Sequence, residues 1–297
     1  MNKTKIEWVK NPDGSQGYTL NSKSGCTNHT PEGLCLGGLF PCYAFKLANT
    51  RLRERYLANG LVACDYDGGE EGSDASLKVA FADPFYPRWW PERLWKPYQT
   101  KKPSGLFLDD MSDWMLDCWP EKWTETELEM MRDNPQHRFY TLTKQPQNLI
   151  KFSPFPDNCW VGVTATNPAA LRNAMFYLDK VEAKVKYISM EPLLEDMKGI
   201  DEYEPDISEV AYALSLSIIN WLIIGAQTKP YKPPKIEWVR EIVEAADKAG
   251  IPVFLKDNLK PLLRGRPEFW DEIPQGDHPN YESIAILRRE MPSIPSE

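Results

Sequence analysis

The chain has 297 residues, of which 42% are apolar and 26% charged, and its formal net charge is −8. These proportions suit a globular chain with a substantial core and exclude a disordered or fibrous class. The acidic balance argues against broad, charge-driven nucleic-acid binding, which needs a basic surface, and leaves room only for a local basic groove.

No apolar run reaches the roughly eighteen residues of a membrane span. The N-terminal MNKTKIEWVKNPDG lacks the apolar stretch of a secretory signal. The expected location is therefore the cytoplasm, where the six cysteines are thiols or metal ligands rather than disulfides.

In chain order, GYTLN (17–21) reads as a first strand, followed by a cysteine-bearing loop and the helical run YAFKLANTRLRERYLANG. LKVAF (77–81), GLFLD (105–109), RFYTLT (138–143), CWVGVT (159–164), VKYISM (185–190), NWLIIG (220–225) and IPVFLK (251–256) read as buried strands. They are short, rich in β-branched and aromatic residues, and not strictly alternating, as in a parallel sheet covered by helices. FYPRWWPERLWKPYQTKK (85–102) interleaves aromatics with cations. It is either a loop packed on the body or a platform for stacking bases.

Thr124-Glu125-Thr126-Glu127 has the form of a capping box. Pro168 opens a helix. PPKIEWVREIVEAADKAG carries Ile236, Val239, Ile242, Val243 and Ala246 at helical spacing and ends at Gly250. Residues 201–218 read as an insertion or extra helix, and the Pro-rich tail from about 265 as a surface wrap. The alternation predicts a single α/β domain over 1–297, a partial or full (β/α) barrel of parallel strands. A doubly wound open sheet is the alternative.

Cys26, Cys35 and Cys42, spaced C-x8-C-x6-C, lie in the loop after the first strand. In a parallel barrel that loop sits at the C-terminal face, where active sites lie. Three thiolates on a 4Fe-4S cluster leave one iron open to another ligand. His29 makes a Cys3His zinc site the competing possibility, and three unrelated thiols are a third. Cys64, Cys118 and Cys159 lie elsewhere, and Cys159 begins a strand, as a buried small hydrophobe would.

The pieces KIEWVKNPDG, SGCT…PCYA, LFLDDMSDWM, FYTLTKQPQNL, CWVGVTATNP, YISMEPLL, INWLIIGAQTKP and IEWVREIVEAADKAGIPVFLKDN occur in one order over nearly the whole chain. In these the sequence resembles a phage-associated domain family of uncharacterised function, distantly related to radical S-adenosylmethionine (SAM) enzymes. The resemblance implies a radical-SAM-like barrel, with a 4Fe-4S cluster on Cys26, Cys35 and Cys42 and SAM held at the open iron. It further implies reductive cleavage of SAM to a 5′-deoxyadenosyl radical, an electron donor, and hydrogen abstraction from an unknown substrate, nucleic-acid bases being one class.

The chain departs from the family in its last cysteine gap, widened by LGGLFP, and in lacking a clear GGE-type strand. Tyr43 follows the last cysteine, where radical SAM loops often carry an aromatic residue. The rival function is a non-catalytic, zinc-stabilised binding protein on the same scaffold.

Polar residues follow the strands: Asp109 to Asp113, Thr143 and Lys144, Thr164 with Thr166 and Asn167, Glu191, Gln227 with Lys229, and Lys256-Asp257. SAM needs a cation for its carboxylate and partners for its ammonium and ribose. Ser112, Lys144, Thr164 and Glu191 are the candidates, with Lys144 facing the carboxylate and Glu191 the ribose or ammonium. Thr143 and Asn167 also fit simple capping.

Overall fold

The fold is that of a computed structural model, which describes residues 1–63, 74–197, 209–272 and 285–293. It divides into two compact units, Met1–Val161 with Val181–Lys184, and Gly162–Lys180 with Val185–Glu297.

The first unit holds strands β1 (Asn2–Lys3), β2 (Tyr18–Leu20), β3 (Lys23–Ser24), β4 (Leu34–Cys35), β5 (Phe40–Pro41), β6 (Arg88–Trp89), β7 (Gly105–Leu108) and β8 (Arg138–Thr143). Its helices are α1 (Tyr43–Ala48), α2 (Arg53–Leu57), α3 (Asp74–Ala82), α4 (Trp95–Gln99) and α5 (Glu121–Asp133). Strand β9 (Cys159–Thr164) starts in the first unit and ends in the second. The second unit holds β10 (Val185–Met190), β11 (Trp221–Ile224), β12 (Gln227–Thr228), β13 (Tyr231–Lys232), β14 (Val253–Leu255), β15 (Trp270–Glu272) and β16 (Ile286–Leu287). Its helices are α6 (Pro168–Leu178), α7 (Glu209–Ser215), α8 (Ile236–Ala249) and α9 (Lys260–Leu263).

The class is mixed α/β, and the central sheet has eight strands in the order β1-β2-β7-β8-β9-β10-β11-β14. In the first unit β1 is an antiparallel edge on β2, while β2, β7 and β8 run parallel. In the second, β10, β11 and β14 run parallel. Every residue of β7, β9, β11 and β14 is buried, as in strands covered on both faces.

Seven of the expected strands lie in this sheet. The expected strand at 77–81 does not: those residues belong to helix α3, with Val79 and Phe81 exposed on either side of buried Ala80. The fully buried Arg88 sits at the end of that helix, its guanidinium donating to the carbonyls of Ala80, Asp83, Tyr86 and Asn59. The eighth strand is instead the N-terminal Asn2–Lys3.

The expected capping box is also replaced. Helix α5 starts four residues earlier, after Pro120, which places Thr124 and Glu127 inside it, both buried. Their oxygens are used by Lys23: its Nζ donates to Thr124 Oγ1 and Glu127 Oε2 at 2.8 Å each and to the Trp114 carbonyl at 3.3 Å. Glu127 also accepts from Ser22 Oγ (2.6 Å) and Trp114 Nε1 (2.9 Å). Ser22 Oγ reaches Asp109 Oδ1, which accepts from the Lys23 amide at 2.8 Å, while buried Asp109 Oδ2 has no partner among the described residues. Burial, then the facing Glu127, pushes the Asp109 carboxyl well up.

Helix α6 starts at Pro168, its N-cap Asn167 accepting from the Ala170 amide at 2.9 Å. Helix α8 buries Val239, Ile242, Val243 and Ala246 and ends at Gly250, as the spacing predicts. The tail lines the sheet edge in the second unit: the Leu255 amide donates to the Arg288 carbonyl and the Glu290 amide to the Val253 carbonyl. This covers strand groups that would otherwise stand open. Of the expected insertion at 201–218, α7 is seen; residues 198–208 lie outside the described residues, as does Cys64. Among the described residues no helix is long and apolar enough to cross a membrane.

Candidate functional site

The cysteine loop leaves β2 and returns through a hairpin. Strands β4 and β5 pair Leu34 with Pro41 and Cys35 with Phe40. The Cys42 amide then donates to the Gly33 carbonyl at 2.9 Å. The inserted LGGLFP is thus the turn and return strand of this hairpin. Cys42 lies two residues beyond Phe40 in extended backbone, so it shares a face with Cys35. The widened gap is absorbed without carrying Cys42 away. Cys42 also caps α1, its Sγ accepting from the Phe45 amide at 3.5 Å. Cys26 is tied down on the other side, its amide donating to the Phe85 carbonyl at 3.0 Å. Cys26, Cys42 and Phe45 pack on one buried cluster with Ala44, Ala48, Tyr56, Phe85, Trp90 and Met111.

Lys144, at the end of β8, reaches into this loop. A Cβ on Gly37 would meet Lys144 Cδ at 2.7 Å and Cys35 Sγ at 3.6 Å, so only glycine lets the lysine pass beside Cys35. Burial alone would lower the Lys144 pKa. Cys35, Asp113, Cys26 and Cys42, all facing it, outweigh burial and hold it raised. Burial pushes up the Cys26 and Cys42 thiols. Without a metal they are therefore protonated at neutral pH. The Lys144 ammonium has no hydrogen-bond or ion-pair partner among the described residues.

Asp113 is a residue that sequence reasoning left among the loop acids. It is 5% exposed. Its Oδ1 accepts from Thr143 Oγ1 (2.5 Å) and its Oδ2 from the Lys144 amide (2.8 Å), which fixes the end of β8. Thr143 serves this bond and also accepts from the Gln145 amide at 2.9 Å. Ser112 pairs with Gly25 in an isolated parallel bridge, beside Cys26, and donates to the Asp113 carbonyl at 3.1 Å. Tyr43, 54% exposed, donates its hydroxyl to the Asp110 carbonyl, linking α1 to the same loop. The first unit therefore brings Cys26, Cys35, Cys42, Tyr43, Ser112 and Lys144 into one neighbourhood.

His29 pairs with Cys35 on the hairpin's outer side. Its ring packs against Phe45 and Phe85, with centroids 4.9 and 5.3 Å away, and Nδ1 lies 2.8 Å from the Thr30 carbonyl. Among the described residues no three His, Cys, Asp or Glu side chains stand together closely enough to hold a metal ion. The three cysteines face Lys144, and Cys35 also faces Cys26 and Cys42. Cys159 is fully buried, its thiol pushed up to about 12 by burial.

Thr164 and Glu191 belong to the second unit. Thr164 Oγ1 is buried and without a hydrogen bond among the described residues. Glu191, after β10, forms a close ion pair with Lys256, after β14. Both pass over Gly225, where a Cβ would stand 3.0 Å from Lys256 Cδ and 3.1 Å from Glu191 Cγ. Both residues followed expected strands in the sequence, but their pairing across the intervening β11 has no local signal.

No curated protein and no solved structure matches the chain. A family model described as "Protein of unknown function (DUF5131)" matches residues 3–260, and the chain belongs to that family.

Proposed function

We propose that the chain is an iron–sulfur, SAM-dependent radical enzyme on a partial, radical-SAM-like barrel. The observation that carries this reading is the arrangement of three cysteines of one strand-end loop around Lys144. Cys26, Cys35 and Cys42 would hold a 4Fe-4S cluster with one iron left open. Metal binding would release the protons that burial keeps on Cys26 and Cys42. When bound, the cluster and SAM supply the one-electron chemistry that yields a 5′-deoxyadenosyl radical, and a separate low-potential electron donor is required.

The chain's own groups do the rest. Lys144 is a charged donor for the SAM carboxylate, held by Asp113 through its backbone. Tyr43 and Ser112 close the loop beside it. His29, packed between Phe45 and Phe85 and hydrogen-bonded to a carbonyl, favours the three-thiolate set over a Cys3His zinc site.

The test is anaerobic reconstitution with iron and sulfide, followed by an assay for 5′-deoxyadenosine with SAM and dithionite. A brown protein that forms 5′-deoxyadenosine supports the reading. A colourless protein that binds one zinc and leaves SAM intact overturns it.

A further inference from the structure

We propose that helix α4, together with the N-terminus, is a docking surface for single-stranded nucleic acid. Trp95 and Tyr98 stack bases there, and the surrounding cations hold phosphates.

Most of the aromatic stretch is structural. Phe85, Trp89, Trp90 and Leu94 are buried. Trp95 is 64% exposed, more than any other large apolar residue among those described, and Tyr98 is 43% exposed. They stand three residues apart, so one helix face presents both, with ring centroids 5.6 Å apart.

The pair is held rigidly from beneath. Pro97 is buried, and its carbonyl lies 3.1 Å from His137 Nε2. His137 Nδ1 accepts from the Ser104 amide, so Nε2 carries the proton and donates to that carbonyl. The Tyr98 hydroxyl donates to Asp133 at 2.8 Å. A fixed, exposed aromatic pair loses little freedom on stacking against a base, and every base offers a ring face.

The surrounding charge has the complementary sign. Residues 93–102, RLWKPYQTKK, hold Arg93, Lys96, Lys101 and Lys102 and no acid, in a chain of net charge −8. Thr100 Oγ1 contacts Met1 Sδ at 3.6 Å, which places the N-terminal segment bearing Lys3 and Lys5 alongside. Lys3, Lys5, Lys96 and Lys101 are exposed. Of the nearby acids, Glu92 is engaged by Arg93 at 3.7 Å and Asp13 by Lys102 at 3.0 Å, while Asp133, bonded to the Tyr98 hydroxyl, and Glu129 face Tyr98 on its other side. Exposed aromatics with cations on one side suit unpaired bases on a phosphate chain rather than a duplex, whose bases already stack.

As the substrate class of the proposed enzyme, this inference rests on that reading, but the docking itself does not, and its test needs no cluster. A fluorescein-labelled single-stranded oligothymidylate is titrated with the full chain and followed by anisotropy over a series of salt concentrations. Saturable binding is expected, weakening as salt rises. Trp95→Ala should weaken it roughly tenfold or more, Trp95→Phe should keep most of it, and Lys96→Glu should weaken it and flatten the salt dependence. Absence of saturable binding overturns the proposal. So does wild-type affinity in Trp95→Ala, or equal competition by heparin, since either means charge alone. Binding that needs Trp95 in a protein that forms no 5′-deoxyadenosine upholds the docking surface and rejects the radical chemistry. 5′-Deoxyadenosine formation without oligonucleotide binding does the reverse.

Discussion

Lys23 and Lys144 both stand near strand ends of the first unit, and they are treated in opposite ways. Lys23 is fully buried and every donor of its ammonium is used, on Glu127, Thr124 and the Trp114 carbonyl. Lys144 is half-buried, is fixed only through its backbone by Asp113, and turns its ammonium toward three cysteines. A buried cation with a complete set of acceptors has nothing left to offer a ligand. A cation positioned by its neighbours but not consumed by them does. The difference separates a structural charge from one held ready for binding.

The sharpest way to break this contrast is to remove each lysine in turn. Lys23→Ala leaves Glu127 charged, buried and short of its partner, and should destabilise the fold by about 3–5 kcal/mol. Urea unfolding measures this, and a loss below about 1 kcal/mol would mean that Lys23 is not the structural member of the pair.

Lys144→Ala should leave the urea midpoint close to wild type. If Lys144 holds the SAM carboxylate, losing a charge-assisted bond of about 1.5–3 kcal/mol weakens SAM roughly 10- to 100-fold. Calorimetric titration into reconstituted protein checks this, with iron content unchanged.

Asp109 sharpens the structural side through pH. Its folded pKa is raised above the ordinary 3.8, by burial first and then by Glu127. The stability it contributes is therefore fully present below pH 3.8 and is lost as pH rises through the raised folded value. Asp109→Asn keeps the shape without the charge, and asparagine tolerates the positive φ of 57° found there. It should match wild type in acid and become the more stable protein as pH rises. Urea unfolding across a pH series shows this, and a gap that shrinks with rising pH contradicts it.

The smallest effect belongs to Tyr43→Phe. It removes one exposed hydroxyl bond to the Asp110 carbonyl and should cost about 1 kcal/mol or less. Iron content and SAM affinity should hold, and a larger change in either would make Tyr43 more than a tie between α1 and the Asp109–Asp113 loop.

Much of the sheet was legible because its strands announce themselves locally. β8, β9 and β10 match the runs 138–143, 159–164 and 185–190 end to end, since mostly buried strands are rich in apolar and β-branched residues. LKVAF is a similar run but lies in a helix, with Ala80 buried and Val79 and Phe81 exposed, and a five-residue apolar run does not fix its own period. Thr124 and Glu127 have capping-box spacing, yet their partner is Lys23, about a hundred residues earlier in sequence, and no local rule contains that pairing.

The site shows the same division. The three cysteines and Lys144 were visible as residue types at strand ends. The hairpin that absorbs the widened gap, the clearance at Gly37 and the grip of Asp113 on Lys144 were not, because each joins segments distant in sequence. Within the aromatic stretch, the pattern could not tell buried Trp89 and Trp90 from exposed Trp95.

The central claim is that Cys26, Cys35 and Cys42 act together as one ligand set, and iron content across cysteine variants tests it most directly. Wild type, Cys26→Ala, Cys35→Ala, Cys42→Ala, Cys118→Ala and Cys159→Ala are reconstituted anaerobically with iron and sulfide and assayed for iron per chain. About four irons are expected in wild type, Cys118→Ala and Cys159→Ala, and near-complete loss in each of the three loop variants. Equal iron in all six proteins would contradict the account.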